Sequence, residues 1–259
     1  MTTKEQIQAA ALALYGAAAS GTTIPPVRQL IGDKNIEAAY LVQEINVDRV
    51  ISEGGKVVGK KIGLTSFAVQ KQLGVDQPDY GILFDQTWVR DGKLSYSELV
   101  QPKAEAEIAF VMAQDLDGDI NIDKLLDAID YSTVAIEIVG SRVADWDIRI
   151  TDTIADNASA SHFILGDSQV KLDKVDLENC KMQMTKNGET ASEGNGKACM
   201  DNPLNAALWL AKKMAEMGNP IKKGEILLSG ALGPMVVIEQ GNTFEASIEG
   251  LGSVSLEIV

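Results

Sequence analysis

Histidine is almost absent from this chain: His162 is the only one in 259 residues. Ser-His-Asp and Cys-His catalysis, and histidine-rich zinc sites, therefore have a single imidazole to draw on. It falls in the alternating stretch "SASHFILGD", where a hydrogen-bonded structural histidine is the simpler reading. Chemistry here must rest mainly on carboxylates, lysines and hydroxyls. Cysteine is scarce too. Cys180 and Cys199 are too few for a disulfide framework and lack CxxC spacing, so both read as ordinary thiols.

Positive charge is also in short supply. Lys and Arg number 23 against 37 Asp and Glu, a net charge of −14 with no basic cluster. A surface that tracks phosphates needs the opposite balance, which argues against a nucleic-acid partner. No apolar run approaches the roughly 20 residues of a membrane helix. The opening "MTTKEQIQAA" puts polar residues where a signal peptide has its apolar core. No membrane partner is expected, and the cytoplasm is the expected compartment. Apolar residues make up 45% of the chain, enough for a substantial core.

Two textures divide the sequence. Residues 3–20 read as a helix with a Thr3/Gln6 capping box and a stop at Gly21, and a second helix runs from Asn35 to Gly54-Gly55. Between them "TTIPPVRQL" is a proline-bearing connector. The expectation is a helical N-terminal segment over 1–55 and a catalytic domain over 56–259. From Lys56 short apolar strands alternate with glycines: 56–63, 79–86, 103–113, 132–140, 160–165, 179–186, 225–230, 243–248 and 252–258. Short helices are expected over "SFAVQKQLG", ending at Gly74, and over "NIDKLLDAID", with a longer amphipathic one at 203–218. Asp91-Gly92 and Asn187-Gly188 carry hairpin-turn signals. Many strands without a regular βαβ rhythm point to an α+β chain with a mixed, barrel-like core.

"KAEAEIAFVM", residues 103–112, holds the informative anomaly. Side chains at i and i+2 of a strand share a face, so Glu105 and Glu107 point together while Ala104, Ala106 and Ile108 point the other way. A third acid, Glu137, stands between Ile136 and Ile138. The three are either unrelated edge residues facing water or a convergent cluster. Convergent carboxylates repel and resist ionisation unless a cation lies between them. An all-oxygen set would select a hard ion, Mg²⁺, Mn²⁺ or Ca²⁺, over zinc. "GKKIGLTS" adds Lys60 and Lys61 on opposite strand faces, one inward and the other solvated. "GVDQPDYG" adds Asp76 and Asp79 around a proline turn.

Eight ordered stretches resemble one family: "VVGKKIGLTS", "QLGVDQPDYG", "QPKAEAEIAFV", "IEIVGSRVADW", "DTIADNAS", "PLNAALWLAKKMA", "ILLSGALGPMV" and "IEGLGSVS". They are similar to the 2-keto-4-pentenoate hydratases of the fumarylacetoacetate hydrolase superfamily, from "PPVRQLIG" to the C-terminus. The resemblance implies a mixed β-barrel or roll with a helical N-terminal part, and a homo-oligomer. It implies metal ligation by Glu105, Glu107 and Glu137, with Mg²⁺ or Mn²⁺ and no organic cofactor. Lys61 and Asp79 are implied as catalytic, and Ser159 as a contact for the substrate carboxylate. The implied reaction adds water to 2-hydroxypenta-2,4-dienoate, giving 4-hydroxy-2-oxopentanoate in meta-cleavage degradation of aromatic compounds. Carbon–carbon hydrolases of the superfamily use a His–Glu pair upstream of the metal glutamates, and no histidine precedes Glu105 here. The alternatives are a 4-oxalocrotonate-type decarboxylase, whose stretches lack the "GSRVADW" and "GALGPM" wording, and a non-catalytic acid-binding partner subunit.

Overall fold

The N-terminal helices form where capping and small-residue packing coincide. The computed structural model describes residues 2–73 and 75–259. In it α1 (Lys4–Ser20) begins at the Thr3/Gln6 capping box and ends at Gly21, whose φ of 67° suits glycine. A short α2 (Arg28–Ile31) occupies part of the connector expected from the prolines. In α3 (Ile36–Ser52) the Asn35 side chain caps the first turn by accepting from Ala38 N. Ala10, Ala11 and Leu14 of α1 pack on Ala38, Ala39 and Val42 of α3. The same cluster takes in Ile150, Ile154 and Ala155 from a later helix, so this segment shares its core with the rest of the chain.

The strands follow as β1 (Val57–Gly63), β2 (Asp79–Phe84) after helix α4 (Phe67–Leu73), β3 (Lys93–Leu94) and β4 (Lys103–Met112). Helix α5 (Ile122–Ala128) leads into β5 (Ile129–Val139), and α6 (Ile150–Ala155) into β6 (Ala160–Leu165). Then come β7 (Lys181–Lys186), β8 (Glu189–Asn195), α7 (Pro203–Glu216), β9 (Ile226–Leu228), β10 (Val236–Val237), β11 (Thr243–Ile248) and β12 (Gly252–Ile258). The larger sheet runs β2-β1-β9-β4-β5-β6, with β10 also on β4; the smaller runs β3-β12-β11-β7-β8. After β2, Val89 N donates to Phe163 O on β6, and Trp88 stacks on Phe163 at 5.5 Å. The large sheet thereby curls into a half-barrel.

The pleat sorts residues between two interiors. Ala104, Ala106, Ile108 and Phe110 of β4 face outward into the main core, with Met182, Met184, Phe244 and Leu256 of the smaller sheet and Leu210 of α7. Glu105, Glu107 and Ala109 face into the half-barrel.

Three expectations change. The strand expected to begin at residue 132 begins at Ile129, because α5 passes directly into extended backbone and Asp130 directs its charge outward to Lys171 at 2.6 Å. Asp91-Gly92 makes a turn, Gly92 having φ 75°, but no hairpin: Lys93–Leu94 pairs in parallel with β12. The segment α6 was not expected as a helix. All six of its residues are buried, which removes the polar–apolar periodicity that marks a surface helix. The helix stop expected at Gly74 lies outside the described residues.

Candidate active site

β4 and β5 pair antiparallel with Glu105 directly opposite Glu137, and Glu107 lies one pleat further on the same face. One carboxylate oxygen from each lies within 4.8 Å of the others. Glu107 and Glu137 are 0% exposed. Glu107 Oε2 accepts a hydrogen bond from Gly230 N at 2.8 Å. Glu107 Oε1 and both oxygens of Glu137 have no hydrogen-bond partner. Buried, unpartnered acceptors facing one another are costly unless something positive satisfies them. Burial and then mutual repulsion push Glu105 up to about 7 and Glu107 well above the usual carboxylate range; burial also raises Glu137.

Lys61 arrives from β1, two strands from β4 across β9. Its Nζ donates to Ala158 O at 2.9 Å and lies 3.2 Å from Glu137 Oε1, an ionic contact without hydrogen-bond alignment. Burial alone would lower its pKa, but Glu137 and Asp79 outweigh that and raise it, so the ammonium stays charged. Asp79 opens β2 and pairs with Gly63 of β1. A Cβ on residue 63 would sit 2.2 Å from Asp79 Oδ1 and 3.4 Å from Lys61 Nζ, so glycine there lets the aspartate and the lysine share one corner. Burial pushes Asp79 up to about 6, and its Oδ1 has no partner.

The last wall is the turn after α6. Asn157, Ala158 and Ser159 all have left-handed φ, at 55°, 50° and 58°, a run that non-glycine residues adopt only when held. Two sets of contacts hold it. Asn157 exchanges side-chain hydrogen bonds with the backbone of Ile82, at 2.8 and 2.9 Å. Arg142, from "GSRVADW", donates through Nε to Asp156 Oδ1 at 2.6 Å and through its backbone N to Oδ2 at 2.9 Å. Ser159 Oγ is thereby placed 3.1 Å from Thr153 Oγ1, which in turn lies 3.4 Å from Asp79 Oδ2. The six residues implied by the resemblance, Lys61, Asp79, Glu105, Glu107, Glu137 and Ser159, lie in this one region.

The chain is similar to known proteins along nearly its whole length. Residues 65–259 fit the model of the fumarylacetoacetate (FAA) hydrolase C-terminal family. The TodF product hydratase of Pseudomonas putida F1 is 51% identical over 251 residues, covering 96% of this chain and 94% of that protein. The 2-keto-4-pentenoate hydratase of Paraburkholderia xenovorans is 48% identical, covering 98% and 96%. The chain is a member of the 2-keto-4-pentenoate hydratase family. Among solved structures, the 4-oxalocrotonate decarboxylase of Pseudomonas putida G7, complexed with magnesium and adipate, superposes with a TM-score of 0.95 at 34% identity, covering 100% and 99%.

One sequence expectation about this hydratase-family member is corrected. Lys60 does lie on the opposite face of β1 from Lys61, but it is not solvated. It is 1% exposed, and its Nζ lies 2.6 Å from both oxygens of Glu225. Alternation fixes which face a side chain takes; here β1 is an inner strand and its outer face is covered. Asp76 is exposed, unlike the buried Asp79. His162 pairs with Ile138 rather than Glu137, and so takes the face opposite the carboxylates. Its Nδ1 is 2.9 Å from Ser161 Oγ, and burial lowers its pKa to about 4. It lines a separate cleft of about 260 Å³ with Arg142 and Glu98. Both cysteines are buried and free. Sequence reasoning missed Thr153, the Gly230 amide and the Ala158 carbonyl. Thr153 lies inside the quoted "DTIADNAS", but nothing in the spacing shows that its hydroxyl points at Asp79.

Proposed function

We propose that this chain hydrates 2-hydroxypenta-2,4-dienoate to 4-hydroxy-2-oxopentanoate, in the meta-cleavage degradation of aromatic compounds. The observation that carries the reading is the set of unpartnered, buried oxygens of Glu107 and Glu137, on the same face as Glu105 and beside Lys61. Their chemistry fits a hard divalent cation, Mg²⁺ or Mn²⁺, held by Glu105, Glu107 and Glu137. Such an ion, when bound, withdraws electrons from a 2-oxo acid and stabilises its enolate. No organic cofactor is required.

The chain's own residues do the rest. Lys61 offsets the negative charge of three glutamates and a substrate carboxylate. The substrate loses its C2 hydroxyl proton and gains one at C5 as it ketonises, giving a 2-oxo-3-enoate. Water then supplies its oxygen to C4 and a proton to C3. Asp79, raised toward neutrality and with Oδ1 free, takes the water's proton and passes it on. Ser159 contacts the substrate carboxylate. We read residues 1–55 as a helical segment supporting a catalytic domain over 56–259, in a homo-oligomer acting in the cytoplasm. No helix among the described residues is long and apolar enough to cross a membrane.

The likeness to a decarboxylase structure supports a second reading, loss of CO₂ from 4-oxalocrotonate. One experiment separates the two. The purified, Mg²⁺- or Mn²⁺-loaded chain is given each acid, turnover is followed by ultraviolet absorbance, and products are weighed by mass spectrometry. A gain of water from the dienoate supports hydration; loss of CO₂ with no hydration overturns it. No turnover of either acid would point to a partner subunit without catalysis.

A further inference from the structure

Lys103 opens β4 on the face that carries Glu105 and Glu107, since residues i, i+2 and i+4 of a strand point together. It stands at the open end of the cluster: Lys103 is half-buried, and Val237, which pairs with it from β10, is 56% exposed. The other end of the same face is closed by Ala109, Phe163 and Leu228. In a chain of net charge −14, this ammonium forms no ion pair among the described residues. Nζ lies instead over the Trp146 ring, 4.1 Å from its centroid. The ring is set there against backbone preference. Gln101, Asp145 and Trp146 have left-handed φ, at 48°, 58° and 54°, which for a bulky aromatic is a true outlier. The Gln101 side chain holds the loop, donating to Ser141 O and Val143 O at 2.8 and 2.7 Å and accepting from Asp145 N at 2.9 Å. The Gln101 backbone carbonyl accepts from Trp146 Nε1 at 3.0 Å.

Charge indicates what such a lysine can meet. Three glutamates, a divalent cation, a substrate carboxylate and Lys61 leave one negative charge, which the Lys103 ammonium offsets. Its placement agrees. The carbonyl of Ser159 accepts from Gly140 N at 2.9 Å, and Gly140 follows the Val139 that pairs with Lys103. Serine and lysine therefore flank the same end of the glutamate ladder, one from the turn before β6 and the other from β4. We propose that Lys103 is a further substrate-binding residue, whose ammonium donates to the carboxylate of the 2-hydroxydienoate from the side opposite Ser159. Trp146 keeps that charge at the mouth until the anion arrives, so that Glu105 does not collect it. The inference rests on the reading of this site as one for a 2-oxo acid.

The test compares Mn²⁺-loaded wild type, Lys103→Met, Lys103→Arg, Trp146→Leu and the Lys103→Met/Trp146→Leu double variant on 2-hydroxypentadienoate. Each is also titrated by calorimetry with pyruvate and with its neutral counterpart pyruvamide. Lys103→Met should raise KM by roughly 10–100-fold, the scale of a hydrogen bond to a charged group. Its kcat should stay near wild type, because the contact is made equally in the bound substrate and the transition state. Pyruvate binding should weaken by a similar factor and pyruvamide binding hardly at all, with Mn²⁺ affinity no lower than wild type. Lys103→Arg should keep KM near wild type, since a guanidinium retains the charge and also stacks on an indole. Trp146→Leu should raise KM by about 2–5-fold, the scale of an exposed cation–π contact, and add nothing to Lys103→Met. Unchanged KM or unchanged pyruvate affinity in Lys103→Met would overturn the proposal. So would equal losses for pyruvate and pyruvamide, which describe packing. A loss of pyruvate affinity that disappears at about 1 M KCl, where charges more than about 3 Å apart are screened, would also overturn it, as a distant field rather than a contact. A cost of Trp146→Leu that persists in Lys103→Met would remove Trp146 as the holder of the charge. If wild type hydrates the dienoate and Lys103→Met does so with the same KM, only this inference fails. If wild type does not turn it over, the proposed reaction fails, and the pyruvate and pyruvamide titrations still decide the role of Lys103.

Discussion

The inner face of the half-barrel has two halves built on the same strands and the same pleat. In one, β4 and β5 present Glu105, Glu107 and Glu137, with Lys61 and Asp79 beside them. In the other, one step further along, lie Leu83, Ala109, Ala135, Phe163, Ile226 and Leu228. The two halves meet across the ladder: Glu107 pairs with Ala135, Lys61 with Leu228 and Glu137 with Phe163. Hydrocarbon below the carboxylates denies them water from that side. Their repulsion is therefore unscreened, and a cation held among them is worth more than the same ion at a solvated surface. The apolar half also fixes the strands that carry the ligands, so the geometry does not have to be assembled when the ion arrives.

The sharpest way to break the contrast is to remove charge from the polar half without changing its shape. Glu105→Gln, Glu107→Gln and Glu137→Gln should each reduce turnover to background. Mn²⁺ affinity by calorimetry should fall by more than the roughly 10–100-fold that an outer-shell change costs. Unchanged affinity in all three variants would remove the metal assignment. Next in size come Lys61→Met and Asp79→Asn. Asp79→Asn should lower kcat by roughly 10²–10⁴, the range for one acid or base. Lys61→Met should lower it too, through loss of the charge that offsets the glutamates and the substrate carboxylate, and both should keep metal affinity near wild type.

How much of this contrast could be read from the chain follows from what periodicity encodes. Glu105 and Glu107 share a face by the i, i+2 rule alone, and Glu137 stands out because its neighbours are isoleucines. The curled sheet was legible as a class, from many short strands without a βαβ rhythm. What periodicity cannot supply is whether a face is covered: Lys60 alternates correctly with Lys61, but its burial depends on β1 lying between β2 and β9. Nor can it supply contacts made by backbone, such as Gly230 N on Glu107 or Ala158 O on Lys61. The strained turn at 157–159 is invisible for a related reason. Its left-handed residues are Asn, Ala and Ser rather than glycine, and Arg142–Asp156, held by no local pattern, keeps them there.

Lys60 gives the third prediction and extends the comparison across the thickness of the sheet. Both lysines of β1 are buried ion-pair members, but Lys61 faces the proposed chemistry and Lys60 faces Glu225 in the outer packing. Lys60→Met should therefore leave kcat of the folded enzyme within about threefold of wild type. Loss of the pair should cost about 3 kcal/mol of stability, because Glu225 would stay mostly buried without its partner. Urea unfolding beside kinetics reads both. A Lys60→Met enzyme as slow as Lys61→Met would show that the two faces are not functionally distinct.

The smallest effect concerns the metal-free protein, where the polar half stands alone. Burial raises Asp79 to about 6 and Glu105 to about 7, and holds Glu107 well above the usual carboxylate range. A carboxyl whose folded pKa exceeds its unfolded one binds its proton more tightly in the folded state. Its stabilisation is therefore fully present below the ordinary range near 4–4.5 and is lost as pH rises through the folded value. For Asp79 and Glu105 that window runs from about pH 4 to about pH 7. With chelator present, Tm should fall by a few degrees between pH 5 and pH 8, since 1 kcal/mol corresponds to about 2–4 °C in a chain of this size. The fold should nevertheless persist, because the hydrophobic core is large and separate from the cluster. Saturating Mn²⁺ should raise Tm at pH 8 and flatten the slope, by binding the ionised form that the metal-free fold disfavours. Glu107→Gln removes one member of the repelling set, so its metal-free Tm at pH 8 should match or exceed that of the metal-free wild type, and Mn²⁺ should add little. Differential scanning fluorimetry across that pH range decides it. A metal-free Tm that rises from pH 5 to pH 8 would mean that Lys61 neutralises the cluster by itself, and that the polar half stands without a cation.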